Sequence, residues 1–261
     1  MDLRTHTDQL GRTVRIPTFP QRIVSVVPSQ TELLFHLGLD HRVVGITKFC
    51  VHPESWFRSK TRVGGTKNLH MDVIRDLQPD LIIANREENN RADIEVLEKE
   101  FPVWVSDVNN LGSALQMIRS VAEITESHAS KLILEIENEF SELVPIYPKR
   151  KVLYLIWKQP YMAAGNDTFI HDMLNRCGLV NVIAQSRYPE LTEASIMDLD
   201  PELVLLSSEP FPFKQRHVEE LHSLLPNAEI RFVDGELFSW YGSRLKHAPA
   251  YFSHLIGSMK K

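Results

Sequence analysis

Cysteine is scarce in this chain: of 261 residues only Cys50 and Cys177 carry a thiol. Two cysteines cannot build a four-cysteine zinc site, and placed this far apart in different halves they are not expected to form a structural disulfide. Dense runs of Lys or Arg are also missing. The formal charge is -5 and the final Lys260-Lys261 pair is short, which argues against a nucleic acid held through its phosphates. No segment approaches the roughly 20 apolar residues of a membrane-spanning helix, and residues 1–21 lack the apolar core of a secretion signal. As written, the chain is expected to be cytoplasmic; a truncated or misassigned start would make it periplasmic or cell-surface. The catalytic signatures are absent too: no G-x-S-x-G, no G-x-G-x-x-G, no Walker loop and no H-E-x-x-H. The chain is not expected to be an enzyme.

What the sequence does contain is a repeat. Ile74-Arg-Asp-Leu-Gln-Pro79-Asp80-Leu-Ile-Ile-Ala84 returns as Ile196-Met-Asp-Leu-Asp-Pro201-Glu202-Leu-Val-Leu-Leu206. The match extends outward. Arg22-Ile-Val-Ser-Val-Val27 parallels Lys151-Val-Leu-Tyr-Leu-Ile156, and Pro102-Val-Trp-Val-Ser-Asp107 parallels Glu229-Ile-Arg-Phe-Val-Asp234. Apolar strands alternating with helical patterns need crossover connections and give mostly parallel sheets covered on both faces. The reading is an α/β protein of two similar lobes with a ligand cleft between them, and 43% hydrophobic residues suffice for two cores.

Between the copies, apolar residues recur near the helical period from Leu115 to Leu143. One long helix is expected, opened by Ser113 with Gln116 as a capping box and stopped by Pro145 and Pro148. It would span about 45 Å and join the lobes as a rigid backbone. The alternative is two helices with a break near Glu126-Ser127-His128. The domain expectation is therefore 1–110 for the first lobe, 111–144 for the linking helix and 145–261 for the second lobe.

In open parallel sheets, ligands settle beyond the carboxyl ends of the strands. In the first lobe that rule selects Ser29, Gln30, Phe49, Lys67 and Glu87 as candidate ligand-binding residues. Ser29 with Glu32 also has capping-box spacing, so the same residues equally suit a helix start. In the second lobe it selects Trp157, Tyr188, Glu209, Phe211, Trp240, Tyr241 and Arg244, a concentration of aromatics in turns. Flat apolar faces beside Arg and Glu suit a large, partly conjugated ligand, whereas loop aromatics folded over a sheet edge would serve packing alone. Cys50 and His52 are the nearest approach to a metal pair, with His70, His171 and Asp172 as further candidate ligands, although a closed zinc site needs about four.

The opening Thr7-Asp-Gln-Leu-Gly-Arg-Thr-Val14, the stretch Pro20-Gln-Arg-Ile-Val-Ser-Val-Val-Pro-Ser-Gln-Thr-Glu32, Gly38-Leu39, Val44-Gly45 and the repeated Leu-x-Pro-[Asp/Glu]-Leu strands resemble the substrate-binding proteins of ABC importers for ferric siderophores, haem and cobalamin. The resemblance covers nearly the whole chain. It implies a bilobal, helical-backbone receptor, a monomer with no intrinsic cofactor, that holds a metal chelate or tetrapyrrole and delivers it to a permease and ATPase complex. In cobalamin receptors of this family an aromatic follows the second strand, the place of Phe49 here. The family docks its transporter through one acid on each lobe, seven positions before the repeated proline. Asp72 has that spacing; on the second lobe the position is Ala194, with Glu193 beside it. The competing reading is a cytosolic metal-handling protein or enzyme on the same scaffold, motivated by Cys50 and His52.

Overall fold

The computed structural model describes residues 2–259. The chain divides into two compact units. The first comprises the residues up to Val108, Gly112–Ile136 and Tyr241–Arg244; the second comprises Asn109–Leu111, Glu137–Trp240 and the residues from Leu245 onward.

The first unit opens with a hairpin, β1 (Leu3–Thr7) and β2 (Thr13–Pro17), paired antiparallel. Then come β3 (Ile23–Ser25), α1 (Pro28–His36), β4 (Val43–Ile46), α2 (Glu54–Ser59) and β5 (Thr61–Arg62). A two-residue hairpin, β6 (Gly64–Gly65) and β7 (Asn68–Leu69), leads to α3 (Met71–Leu77), β8 (Leu81–Asn85), α4 (Arg91–Leu97) and β9 (Val103–Ser106). The sheet order is β5-β4-β3-β8-β9 and every pairing in it is parallel. β8 is buried along its whole length, and Val24, Val26, Ile82, Ala84, Val103 and Val105 pack with Ile74 and Ile94 from the helices. Continuous apolar runs of this kind are what a sheet covered on both faces demands.

The second unit contains β10 (Arg150–Trp157), β11 (Tyr161–Ala163), α7 (Phe169–Arg176), β12 (Leu179–Asn181), β13 (Glu190–Leu191), α8 (Glu193–Asp198), β14 (Leu203–Ser207), α9 (Gln215–Leu224), β15 (Glu229–Val233), α10 (Gly235–Ser239) and α11 (Ala248–Ser258), with a short 3-10 turn at Ser243–His247. Its strand order is β13-β11-β10-β14-β15, with β12 also on β10. β10, β12, β14 and β15 run parallel, while β11 and β13 add antiparallel pairings.

The sequence repeat is a repeat of topology. β3, β8 and β9 are consecutive neighbours in one sheet, as β10, β14 and β15 are in the other. The joint before the second strand of each triplet is built identically. α3 ends in Gln78 at φ 45°, and the residue before Pro201 is Asp200 at φ 42°, both left-handed turns that release the chain into proline. The acid after each proline then closes a ring with the neighbouring strand. Asp80 donates its N–H to the Arg22 carbonyl at 3.0 Å, and its carboxylate accepts the Arg22 N–H at 2.8 Å. Glu202 donates to the Lys151 carbonyl at 3.1 Å and accepts the Lys151 N–H at 2.8 Å.

The single linking helix is corrected. The segment forms two helices, α5 (Leu111–Ile124) and α6 (Ser130–Glu142), broken where the alternative placed it. Glu126 takes φ 50°, Ser127 donates to the Ala122 carbonyl at 2.8 Å, and Arg42 donates to the Thr125 carbonyl at 2.7 Å. These bonds satisfy the carbonyls that a continuing helix would use, so α5 stops without glycine or proline. The apolar period runs on across the break, because Ile118, Val121, Ala122, Ala129, Leu132, Ile133 and Ile136 are all buried. Ser113 lies inside α5 rather than at its start; the N–H of Leu111 is capped by the Asp172 carboxylate at 2.8 Å.

Candidate functional site

In the first unit, the carboxyl ends of β3, β4, β8 and β9 bring together Ser29, Gln30, Phe49 and Glu87. A buried polar network fixes this edge. Ser106, closing β9, donates its hydroxyl to the Ala84 carbonyl at 3.1 Å and accepts from Asn85 Nδ2 at 3.0 Å and from the Gln30 amide nitrogen. Asn85 Oδ1 takes the N–H groups of Glu87 and Glu88 at 2.8 and 3.0 Å. Asn89 ties the loop to β3 and to the Gly65–Asn68 turn by donating to the Val26 and Thr66 carbonyls at 3.0 and 3.1 Å. The α1 N-terminus sits on this floor, with Ser29 and Gln30 buried. Capping-box geometry at Ser29 does not form: α1 has no side-chain cap, and Glu32 pairs with Arg244 instead.

Above the floor, Phe49 is 51% exposed, with the Lys48 ammonium 5.1 Å from its ring centroid. Gly65 lies under the ring, where an added Cβ would come within 3.1 Å of it, so this glycine serves close approach. Lys67 donates its ammonium to the Glu87 carbonyl, which joins two of the expected residues. Tyr241 is buried, and the backbone of Gly242 rests against the Ser29 carbonyl.

In the second unit, Trp157 ends β10, and a register shift between Leu155 and Trp157 turns its ring at the strand end. Trp157 is 38% exposed, and its ring centroid is 5.4 Å from that of Phe211 in an edge-on arrangement. Phe211 continues to Phe213 at 4.8 Å and His217 at 5.4 Å. Beside them Glu209 Oε1 accepts from the Ser239 hydroxyl at 2.9 Å and the Trp240 indole at 3.0 Å. Burial raises the Glu209 carboxyl above its ordinary value, and Glu236 and Asp234 add to this against the Ser239 and Trp240 hydrogen bonds. Trp240 is buried and acts here by holding Glu209.

The carbonyls of Pro189 and Arg187, on either side of Tyr188, accept from Ala163 and Gly165, so the Tyr188 segment runs beside the end of β11. Asp72 and Glu193 each lie in the first turn of a short helix, α3 and α8, with Asp72 paired to Arg75 at 3.1 Å.

The metal expectation meets an occupied thiol. Cys50 is fully buried, with the Thr31 and Thr47 hydroxyls 3.1 and 3.2 Å from its sulfur. Burial raises its pKa against those hydrogen bonds, which disfavours the thiolate that a metal requires. Among the described residues no group of three or more His, Cys, Asp or Glu is placed to hold an ion. Asp172 is engaged by Leu111 and Arg176, and His171 by Asn181.

The family model described as periplasmic binding protein matches residues 23–223, well over half of the chain. The chain belongs to the periplasmic binding protein family. An uncharacterised ABC transporter substrate-binding lipoprotein, YvrC of Bacillus subtilis (strain 168), is 26% identical over 216 residues, 77% of this chain and 68% of that one. The vitamin B12-binding protein of Yersinia pestis (strain Pestoides F) is 24% identical over 196 residues, 72% of this chain and 69% of that one. In fold, the periplasmic haem-binding protein HutB of Vibrio cholerae matches with a TM-score of 0.76 at 21% identity, over 90% of this chain and 98% of that one. Among periplasmic binding proteins the α/β sheets with their parallel strands are at home. The cytoplasmic placement expected from residues 1–21 finds no support in these relatives, which are periplasmic or lipoproteins by description.

Sequence reasoning missed Ser106 in the floor of the first edge, and Arg216 and His217 beside Phe211. Ser106 closes a strand, a position at which a polar residue at the end of an apolar run is a usable signal. Arg216 and His217 carry none, because they follow the strand at a distance and only the fold sets the His217 ring against Phe211.

Proposed function

We propose that this chain is the substrate-binding component of an ABC-type importer and that its cargo is a metal chelate or tetrapyrrole of the cobalamin, haem or ferric-siderophore kind. The reading rests on family membership, and the observation that carries the ligand class is the Trp157–Phe211 surface beside a half-buried Glu209 at one sheet edge. Stacked aromatic edges with a few fixed polar groups suit a large conjugated ring rather than a small hydrophilic solute. The protein works outside the cytoplasmic membrane, as a monomer that passes its cargo to a permease and ATPase complex. In the first unit Phe49, Lys67 and Glu87 are the proposed ligand-binding residues. Asp72 and Glu193 are the docking acids, Asp72 being 95% exposed at its side chain. The rival metal-handling reading loses its motive with Cys50 enclosed by threonine hydroxyls.

The test is titration of purified protein with cyanocobalamin, haemin and ferric siderophores, followed by tryptophan fluorescence. Quenching that is lost in Trp157→Leu supports the reading. Silence of the wild-type protein across the whole panel would overturn it.

A further inference from the structure

Two nitrogen donors are directed at the one imidazole of His217. Its ring is 3% exposed and packed between Phe211 and Phe213, with centroids 5.4 and 5.7 Å away. The backbone N–H of Lys214 donates to Nδ1 at 2.9 Å, while Arg216 Nε faces Nε2 at 3.1 Å. A neutral imidazole accepts at one nitrogen only. The Lys214 N–H is fixed in the backbone at the start of α9, whereas the Arg216 side chain is exposed and can turn about its own bonds. The fixed donor therefore assigns Nδ1 as acceptor and leaves Nε2–H as a buried donor facing a second donor. Protonating the ring would deprive the Lys214 N–H of its acceptor, and burial with Lys158, Arg216 and Lys214 nearby lowers the His217 pKa.

Among the described residues no carboxylate reaches Arg216. Glu220, one turn further along α9, is taken by Lys158, whose ammonium also lies 5.6 Å from the Tyr161 ring centroid. The Glu193 charge also favours the charged form of Lys158, against burial and Arg216. Two donors thus converge beside Phe211, whose ring also meets Trp157.

We infer that Nε2–H of His217 and the guanidinium of Arg216 form an oxyanion-recognition site that takes a carboxylate on the rim of a conjugated ligand lying against Trp157 and Phe211. This deepens the proposed function and rests on it for the cargo: it selects carboxylate-bearing rings, such as a porphyrin with free propionates, over rings whose rim carries only amides. An acceptor between the two groups turns two opposed donors into two charge-assisted or buried hydrogen bonds, the kind that contribute most to affinity.

The experiment uses the full chain with 1-pyrenecarboxylate and its uncharged amide as probes, read by quenching of Trp157. The wild-type protein should bind the carboxylate about tenfold more tightly than the amide, and Arg216→Gln should remove that preference while leaving the amide unchanged. Long-range proton–nitrogen NMR of labelled histidine should show the Nε2–H tautomer at His217, with its shift moved by the carboxylate. Absence of binding, an equal affinity for both probes, a preference that survives Arg216→Gln, or an Nδ1–H tautomer would each overturn the site. Haemin binding that is insensitive to Arg216→Gln would overturn it too while leaving the importer reading intact. A carboxylate preference in a protein silent to every chelate would uphold the site and sink the importer reading instead.

Discussion

Arg244 grips both carboxylate oxygens of Glu32, Nε to Oε2 at 3.0 Å and Nη2 to Oε1 at 2.8 Å. The two side chains are 17% and 21% exposed, so the pair is largely shielded from water. It fastens the Tyr241–Arg244 segment to α1, the helix whose N-terminus carries Ser29 and Gln30.

Glu32→Gln should therefore cost about 1–2 kcal/mol, since it leaves the guanidinium partly buried without its counter-charge. Arg244→Lys should lose a similar amount, because an ammonium cannot reproduce the two-point contact. Urea denaturation is the check. Midpoints unchanged in both variants would mean that solvent screens the pair completely.

Glu209 sets the second expectation. Its folded pKa is raised, so the native state holds its proton to higher pH than the unfolded chain does. Stability from this group is complete below the unfolded carboxyl value and is lost as pH rises through the folded one. Glu209→Gln should accordingly be more stable than wild type at neutral pH and equal to it near pH 3, in paired thermal melts. A constant difference at both pH values would show that ionisation is not the cause.

Two glycines give opposite outcomes. A Cβ at Gly242 would stand 2.5 Å from the Ser29 carbonyl, a backbone atom that cannot move aside. Gly242→Ala should cost about 1–3 kcal/mol and weaken ligand binding by lifting the segment off α1. Gly257 lies in α11 with nothing within 4 Å, so Gly257→Ala should stabilise by up to about 1 kcal/mol. Differential scanning calorimetry on both variants decides the signs.

The three repeated strands of each sheet were legible in the sequence, as with Ile23–Ser25, Leu81–Asn85 and Leu203–Ser207, apolar runs with turn signals at their ends; the short β5, β11, β12 and β13 were not. The end of α5 was not. Thr125, Glu126 and Ser127 carry no helix-breaking residue, and the contact that relieves the Thr125 carbonyl comes from Arg42, far away in the chain. At the candidate site, position after a strand selects residues by where they fall in the chain, so it picks out Phe49, Trp157, Glu209, Phe211 and Tyr188 alike and says nothing of which side chains meet. Arg216 and His217 were invisible because their meaning lies in a conflict between two donors, a property of coordinates rather than of spacing.

The rings that Asp80 and Glu202 close with Arg22 and Lys151 work as length gauges. Each acid follows its proline directly and must meet a residue at the start of the neighbouring strand, Arg22 just before β3 or Lys151 second in β10. One residue inserted between proline and acid would slide β8 or β14 against its neighbour and turn every side chain to the opposite face. The amino edge of each sheet is thus intolerant of insertion, while the loops at the carboxyl edge can be rewritten in length and chemistry without disturbing strand register. A lineage carrying this fold can change its cargo at one rim because the other rim keeps the count.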